Sequence, residues 1–205
     1  MTNPLPSVYL ARHGETEWAL SGRHTGLSDI PLTERGEQNA RNLGAILRNF
    51  RPALVFTSPL ERARRTCELA GFLAAAVVDP DLVEWNYGDY EGLKTGEIQA
   101  RRPGWDLFRD GCPGGESAPD VAQRADRVIA RLRAAAADSP GEAIVFSSAH
   151  FLRVLAARWL GLDATCGRLF VLSTASLSIL GYEHTLNEPV IRRWNDIGAW
   201  NEAKS

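Results

Sequence analysis

The stretch IVFSSAHFLRVLAARW, residues 144–159, has the pattern of a strand that runs through a tight turn into a helix. Residues 144–147 lead up to the turn, which reads Ser148-Ala149-His150. Helical spacing then follows in the apolar residues Phe151, Leu152, Leu155, Ala156 and Trp159. A strand that passes directly into a helix is typical of α/β folds, where the turns at strand ends carry the chemistry.

The same alternation of strand and helix extends along the rest of the chain. Further strands are predicted at residues 7–11, 53–58 and 75–81, and helices after Thr33 and at 60–74, 95–102, 120–137 and 150–160. Residues 176–184 and 190–195 have the pattern of a closing hairpin. The pattern therefore predicts an α/β protein, a three-layer α/β/α sandwich with a mostly parallel sheet. We predict one domain over residues 1–205, with about the last ten residues loosely held.

The composition narrows the class of protein. A chain of 205 residues with a net charge of −2 has no basic field that would favour nucleic acid or an anionic membrane. Three cysteines without a C-x-x-C pair, and an N-terminus without a signal-peptide pattern, favour a cytoplasmic enzyme. The four histidines lack metal-ligand spacing, so we expect neither a metal site nor a cofactor. Homo-oligomerisation is left open.

Charged and polar side chains follow the predicted strands. Arg12 and His13 come after the first strand, Arg62 after the second and Glu84 after the third. Because ligands bind at the carboxyl ends of parallel strands, these groups are expected to meet. Guanidinium groups bind phosphoryl oxygens in a bidentate manner, and a neutral imidazole can attack phosphorus. A carboxylate can protonate a leaving alkoxide and later deprotonate water. The sequence therefore predicts a phosphoryl-transfer site.

Four motifs resemble those of the histidine phosphatase superfamily, the group that includes cofactor-dependent phosphoglycerate mutase. They are LARHGETEW (10–18), SPLERARRT (58–66), EWNYGDYEG (84–92) and GCPGGES (111–117), in the family's order. The resemblance implies a phosphoglycerate mutase-like fold. It also implies that His13 is a nucleophile that becomes phosphohistidine, that Arg12 and Arg62 hold the phosphoryl oxygens, and that Glu84 is the proton donor.

The turn after the fourth strand departs from the family's pattern. The family has a second catalytic histidine in a motif His-Gly-x-x-x-Arg, and counting back from Arg153 places Ser148 at the histidine and Ala149 at the glycine. Loss of such a hydrogen-bond donor costs about 10²–10³ in rate. Serine keeps a hydroxyl donor, but it is shorter and uncharged. His150 stands two residues late, and three roles stay open for it: partial replacement of that histidine, contact with substrate, or a cap on the helix.

Other polar residues near the motifs are candidates for substrate binding. This group, beyond the two arginines, comprises Arg23, His24, Thr25, Glu116, Ser117 and His150. The alternative for each is a solvated loop residue.

The preferred function is that of a metal-independent, histidine acid phosphatase-type hydrolase acting on a small phosphorylated metabolite such as a sugar phosphate. The phosphatase branch is preferred because the chain is short for a mutase and carries Ala19 where mutases carry a polar residue. Three alternatives stay open: a phosphoglycerate mutase-type phosphotransferase, a catalytically disabled phospho-ligand-binding protein, and a variant in which Ser148 and Ala149 were introduced deliberately.

Overall fold

The computed structural model describes residues 5–138 and 141–198. In this part of the chain the strands are β1 (Val8–Arg12), β2 (Leu54–Thr57), β3 (Ala76–Val78), β4 (Ala143–Ser147), β5 (Leu177–Tyr182) and β6 (Pro189–Asp196). The α-helices are α1 (Glu17–Ser21), α2 (Glu34–Ile46), α3 (Glu61–Leu69), α4 (Thr95–Arg101), α5 (Leu107–Asp110), α6 (Ala118–Asp138) and α7 (Ala149–Trp159).

The strands form one sheet in the order β3-β2-β4-β1-β5-β6. The first four are mutually parallel, whereas β5 pairs antiparallel with both β1 and β6. The mostly parallel sheet and the closing hairpin are thereby confirmed. Arg12 at the end of β1 is in register with Ser147 at the end of β4, so the turns that follow these two strands are neighbours.

Helices cover both faces of the sheet, and the alternation of side chains along the strands explains why. Val8 and Leu10 of β1 belong to a buried cluster that includes apolar residues of α6 and α7. Ala11 belongs to a second cluster with apolar residues of α2 and α3. Successive strand residues point to opposite faces, so each face needs its own layer of helices. The predicted three-layer sandwich is confirmed.

Three differences from the predicted elements have local causes. Helices α1 and α5 were not predicted, because they span only five and four residues and lack an apolar repeat. Strand β3 ends at Val78, before Pro80, whose missing N–H cannot continue a ladder.

None of the described helices is long and apolar enough to cross a membrane. The predicted looseness of the last ten residues concerns a segment of which 199–205 lie outside the described residues.

Candidate active site

His13 occupies the turn directly after β1. Its backbone N–H donates to the carbonyl of Ser147, and its Nδ1 lies 2.7 Å from the carbonyl oxygen of Gly14. A carbonyl can only accept, so Nδ1 carries the proton and Nε2 keeps its lone pair. Burial lowers the pKa of His13 well below its usual range, and the nearby cations Arg62 and Arg12 lower it further. The imidazole is therefore neutral, and the lone pair on its Nε2 is available for chemistry.

Backbone packing fixes the position of this turn. A Cβ on Gly14 would lie 2.5 Å from the carbonyl oxygen of Gly36, and a Cβ on Gly36 would lie 2.2 Å from the carbonyl oxygen of Glu15. The turn therefore meets the first residues of α2 with no room for side chains at these two positions. The N–H of Gly14 also donates to Oγ1 of Thr66 in α3, at 2.9 Å. Glycine is required at position 14 for close approach.

Arg62 lies in the first turn of α3 and is fully buried. Its guanidinium donates to three carbonyl oxygens of one loop: Nη1 to Ser28 at 2.9 Å, and Nη2 to Thr25 at 3.0 Å and Gly26 at 2.8 Å. These bonds hold the loop that carries several predicted substrate-binding residues against the first turn of α3. Burial lowers the pKa of Arg62, and the carboxylate of Glu84 opposes that effect.

Arg12, next to His13, donates through Nη1 to the carbonyl of Leu172. Burial lowers its pKa to about 10, which leaves the guanidinium charged at neutral pH. The Nε–H groups of Arg12 and Arg62 are both buried and have no hydrogen-bond partner among the described residues. An unsatisfied buried donor is costly unless an acceptor reaches it, so these two donors fit a bound anion.

Glu84 is buried and joins the loop after β3 to the start of α7. Its Oε1 accepts from the backbone N–H groups of Trp85 and Phe151, each at 2.8 Å, and its Oε2 accepts from the N–H of His150 at 3.0 Å. Two of these donors belong to the first turn of α7, where N–H groups have no partner within the helix. Glu84 therefore caps α7 from another part of the chain, and its carboxylate is held beside the β4 turn.

Ser148 is fully buried at the N-cap position of α7, but its side chain does not cap the helix. Its Oγ lies 3.5 Å from Nη2 of Arg62, a long contact. Ala149 begins α7, and its φ is not positive, so the backbone freedom of glycine is not required there. The turn thus accepts both residues without strain, and Ser148 stays close to one of the two arginines.

A cavity of about 70 Å³ brings most of the predicted residues together. Its lining consists of Arg12, His13, Ala19, Arg23, His24, Thr25, Glu84, Tyr87, Ala149 and His150. Arg62 and Ser148 are buried beside it. Two of the predicted substrate-binding residues, Glu116 and Ser117, are not part of this lining.

The side chains of Glu116 and Ser117 have partners elsewhere. Glu116 pairs with Arg124 at 2.8 Å and accepts from the backbone N–H of Asn86. Ser117 is the residue before α6, and its hydroxyl donates to Asp120 at 2.6 Å. Contact of these two residues with a substrate therefore stays a prediction that the cavity does not support.

At the mouth of the cavity, Arg23 is exposed and donates to the carbonyl of Gly92, and the hydroxyl of Thr25 donates to the carbonyl of Arg23. The ring of His24 lies against Tyr87, with centroids 4.7 Å apart. Tyr87 was not among the predicted site residues. Its place three residues after Glu84, within the same motif, is the signal that could have identified it.

The described residues contain no group of three or more His, Cys, Asp or Glu side chains placed to hold a metal ion.

Comparison with known proteins places this chain in a family. The model of the histidine phosphatase superfamily (branch 1) matches residues 8–197. The chain belongs to the histidine phosphatase superfamily. It is similar to an acid phosphatase of Mycobacterium tuberculosis, with 39% identity over 88% of this chain and 89% of the relative. It is also similar to a sedoheptulose 1,7-bisphosphatase of Saccharomyces cerevisiae, with 40% identity over 79% and 70% of the two chains.

A solved structure supports the same placement. The product of a Mycobacterium tuberculosis open reading frame superposes with a TM-score of 0.85 at 36% identity, covering 93% of this chain and 97% of that one. The predicted resemblance to the histidine phosphatase superfamily, and the phosphoglycerate mutase-like fold that it implied, are confirmed.

Proposed function

We propose that this chain is a phosphomonoesterase that hydrolyses a small phosphorylated metabolite, such as a sugar phosphate, through a phosphohistidine on His13. One observation carries the proposal: a neutral, buried imidazole whose Nδ1 is held by the carbonyl of Gly14 shares a small cavity with Arg12 and Glu84. The similarity to proteins named acid phosphatase and sedoheptulose 1,7-bisphosphatase supports hydrolysis of such a substrate.

In the first step, Nε2 of His13 attacks phosphorus and the bond between phosphorus and the ester oxygen breaks. Glu84, in its carboxylic acid form, gives its proton to the departing oxygen, so an alcohol leaves. The attacking nitrogen must be unprotonated, which the hydrogen bond from Nδ1 to Gly14 and the lowered pKa of His13 both favour. The products of this step are the alcohol and a phosphorylated His13.

In the second step, the carboxylate of Glu84 takes a proton from water as the water oxygen attacks phosphorus. The bond between phosphorus and nitrogen breaks, and inorganic phosphate leaves a neutral His13. Arg12 and Arg62 stabilise the charge on the phosphoryl oxygens in both steps, and their unpartnered Nε–H groups are suitable donors. The two guanidinium charges supply the positive charge that phosphoryl transfer needs.

Ser148 bears on how fast this reaction runs. A buried hydroxyl with a single 3.5 Å contact to Arg62 is a weaker donor to a phosphoryl oxygen than an imidazole. This observation favours a second candidate function, in which the chain binds phosphorylated ligands with little or no turnover. Arg12 and Arg62 serve both functions, so binding alone does not separate them.

An alkaline quench, which preserves the acid-labile bond between phosphorus and nitrogen, followed by intact-mass and peptide analysis at high pH, tests the proposal. The chain is mixed with 4-nitrophenyl phosphate and, separately, with sugar phosphates, and we expect phosphate release with a phosphoryl group on His13. His13→Ala should abolish both signals. Phosphate binding without release or labelling would support the ligand-binding alternative. Exchange between phosphoglycerates that needs a bisphosphate primer would support a mutase-type transferase instead.

A further inference from the structure

The hydroxyl of Tyr87 lies 2.6 Å from Nδ1 of His150. Tyr87 is buried, and burial together with the charge of Glu84 raises the pKa of its phenol well above the usual range. The phenol therefore keeps its proton, and a buried O–H requires an acceptor. Within the described residues, His150 Nδ1 is the acceptor that the hydroxyl reaches.

The protonation of His150 follows from this contact. Burial lowers the pKa of His150 well below its usual range, with Arg153 and His24 lowering it further, so the ring is neutral. A neutral imidazole carries one proton. If Nδ1 accepts from Tyr87, that proton is on Nε2, which becomes a hydrogen-bond donor.

The position of His150 shows which part of a ligand this donor would reach. His150 lines the same cavity as His13 and Glu84. Its backbone N–H donates to Oε2 of Glu84 at 3.0 Å, and its Nδ1 lies 4.0 Å from that oxygen. Ser148, by contrast, contacts Arg62. The ring of His150 is therefore on the side of the carboxyl that protonates the leaving oxygen, whereas Ser148 is on the phosphoryl side.

We propose that Tyr87 is a positioning residue that holds His150 in its Nε2–H form, and that Nε2–H donates to an oxygen of the leaving alcohol next to the ester. This inference rests on the proposed function and adds a substrate class to it. The site would favour phosphate esters with a hydroxyl beside the ester carbon over esters that have none. His150 then recognises the alcohol and does not replace the missing second histidine.

Nitrogen NMR of the ¹⁵N-histidine-labelled chain tests the tautomer without any need for turnover. We expect His150, assigned by its loss in His150→Gln, to show a protonated Nε2 and an unprotonated Nδ1. In Tyr87→Phe, which keeps the ring and removes the hydroxyl, we expect a mixture of both tautomers. Protonation at Nδ1 in the unsubstituted chain, or no change in Tyr87→Phe, would overturn the proposal.

The same spectra test the ligand. Addition of sn-glycerol 3-phosphate, which has a hydroxyl beside the ester carbon, should shift the Nε2 resonance of His150. Phenyl phosphate, which lacks one, should shift it less. Equal shifts with the two esters, or none with sn-glycerol 3-phosphate at saturation, would contradict the assignment of His150 to the leaving alcohol.

Kinetics separate positioning from general damage to the fold. In Tyr87→Phe, the ratio of kcat/KM for sn-glycerol 3-phosphate to that for 4-nitrophenyl phosphate should fall about 2-fold, because only the fraction of His150 that still carries its proton on Nε2 can donate. Tyr9→Phe is the matched control, because its hydroxyl donates to Glu142 at an exposed site. A loss of the same size for both esters would mean that Tyr87 acts only on the fold.

A second variant sharpens the result. Glutamine places an amide N–H near the position of Nε2 and has no tautomer to set. Tyr87→Phe should therefore change the ratio of the two esters little in a His150→Gln background, and a full additive loss would contradict coupling between the two residues. Absence of phosphohistidine on His13 would defeat the proposed hydrolysis but leave the NMR result on His150 intact, so the two failures are distinguishable.

Discussion

The turns after β1 and β4 lie side by side, yet they are held in different ways. On the nucleophile side, which comprises Arg12, His13, Gly14 and Arg62, the positions are fixed largely through contacts with the main chain. The β4 turn, residues 148–150, receives its main support from one carboxylate, that of Glu84. Within the part of the chain that the structure describes, the side chain of Ser148 forms no cap and makes one long contact, with Arg62.

The two turns differ in how strongly the stability of the fold depends on their side chains. Replacing a residue on the nucleophile side removes packing or hydrogen bonds that hold a loop in place. Replacing Ser148 removes almost none, because α7 is capped by Glu84 whichever residue stands at its N-cap. The residue at position 148 can therefore change while the structure stays the same.

The largest effect is expected for Arg62→Ala. The change removes the charge that we propose binds the phosphoryl group, and it leaves the carbonyls of Thr25, Gly26 and Ser28 without their donor. We expect kcat/KM for 4-nitrophenyl phosphate to fall by about 10³-fold or more, and the free energy of unfolding by about 3 kcal/mol. Arg64→Ala, at an exposed position of the same helix, should change the free energy of unfolding by less than about 0.5 kcal/mol. Similar losses in both variants would show that the nucleophile side is not fixed as described.

The double change Ser148→His and Ala149→Gly tests the β4 turn. It restores the residues that the family pattern has there, and we expect kcat for 4-nitrophenyl phosphate to rise by about 10²–10³-fold. The free energy of unfolding should change by only about 1 kcal/mol, because replacing alanine by glycine in a helix lowers stability by about that amount. If kcat stays within about threefold of the unsubstituted chain, the assignment of position 148 to the second histidine is wrong.

Gly14→Ala compares main-chain packing on the nucleophile side with an open position elsewhere. Its Cβ would stand 2.5 Å from a backbone oxygen of Gly36, which cannot move aside easily. We expect a loss of about 3 kcal/mol in the free energy of unfolding, measured by urea denaturation. Gly96→Ala in α4 is the control: its Cβ meets nothing within 4 Å, and alanine should stabilise that helix by about 0.5–1 kcal/mol. A loss below about 1 kcal/mol for Gly14→Ala would mean that the backbone of the turn can move to make room for the added methyl group.

The sequence predicts the nucleophile side better than the contacts that Tyr87 and His150 make on the side of the β4 turn. Arg12 ends β1, His13 follows it directly and Arg62 lies in the first turn of the helix after β2, so the sheet alone brings them to one edge. The contact between Tyr87 and His150 joins a loop to a helix 63 residues away, and no local pattern encodes it. The sequence also does not predict the partner of Glu116, whose carboxylate forms an ion pair with Arg124 of α6. Directions of loop side chains depend on the tertiary structure around them.

The smallest effect concerns pH and the charge state of His13. Its folded-state pKa is lowered by burial, then by Arg62 and Arg12, whereas in the unfolded chain it is about 6.5. Between these two values the unfolded chain binds a proton that the folded chain does not. The free energy of unfolding therefore falls as pH falls below about 6.5, by at most about 1.4 kcal/mol per pH unit from this histidine.

Urea denaturation at pH 7, 6 and 5 measures this slope. In His13→Gln the dependence should be shallower by up to about 1.4 kcal/mol per pH unit, because the variant has no proton to bind on unfolding at this position. His184→Gln removes one histidine at an exposed position and gives the reference slope. If the two variants have the same slope, His13 takes up its proton in the folded protein as readily as in the unfolded chain. His13 would then be protonated in mild acid. It would not be held in a neutral form by its contacts with the main chain, and this difference from the variable β4 turn would be lost.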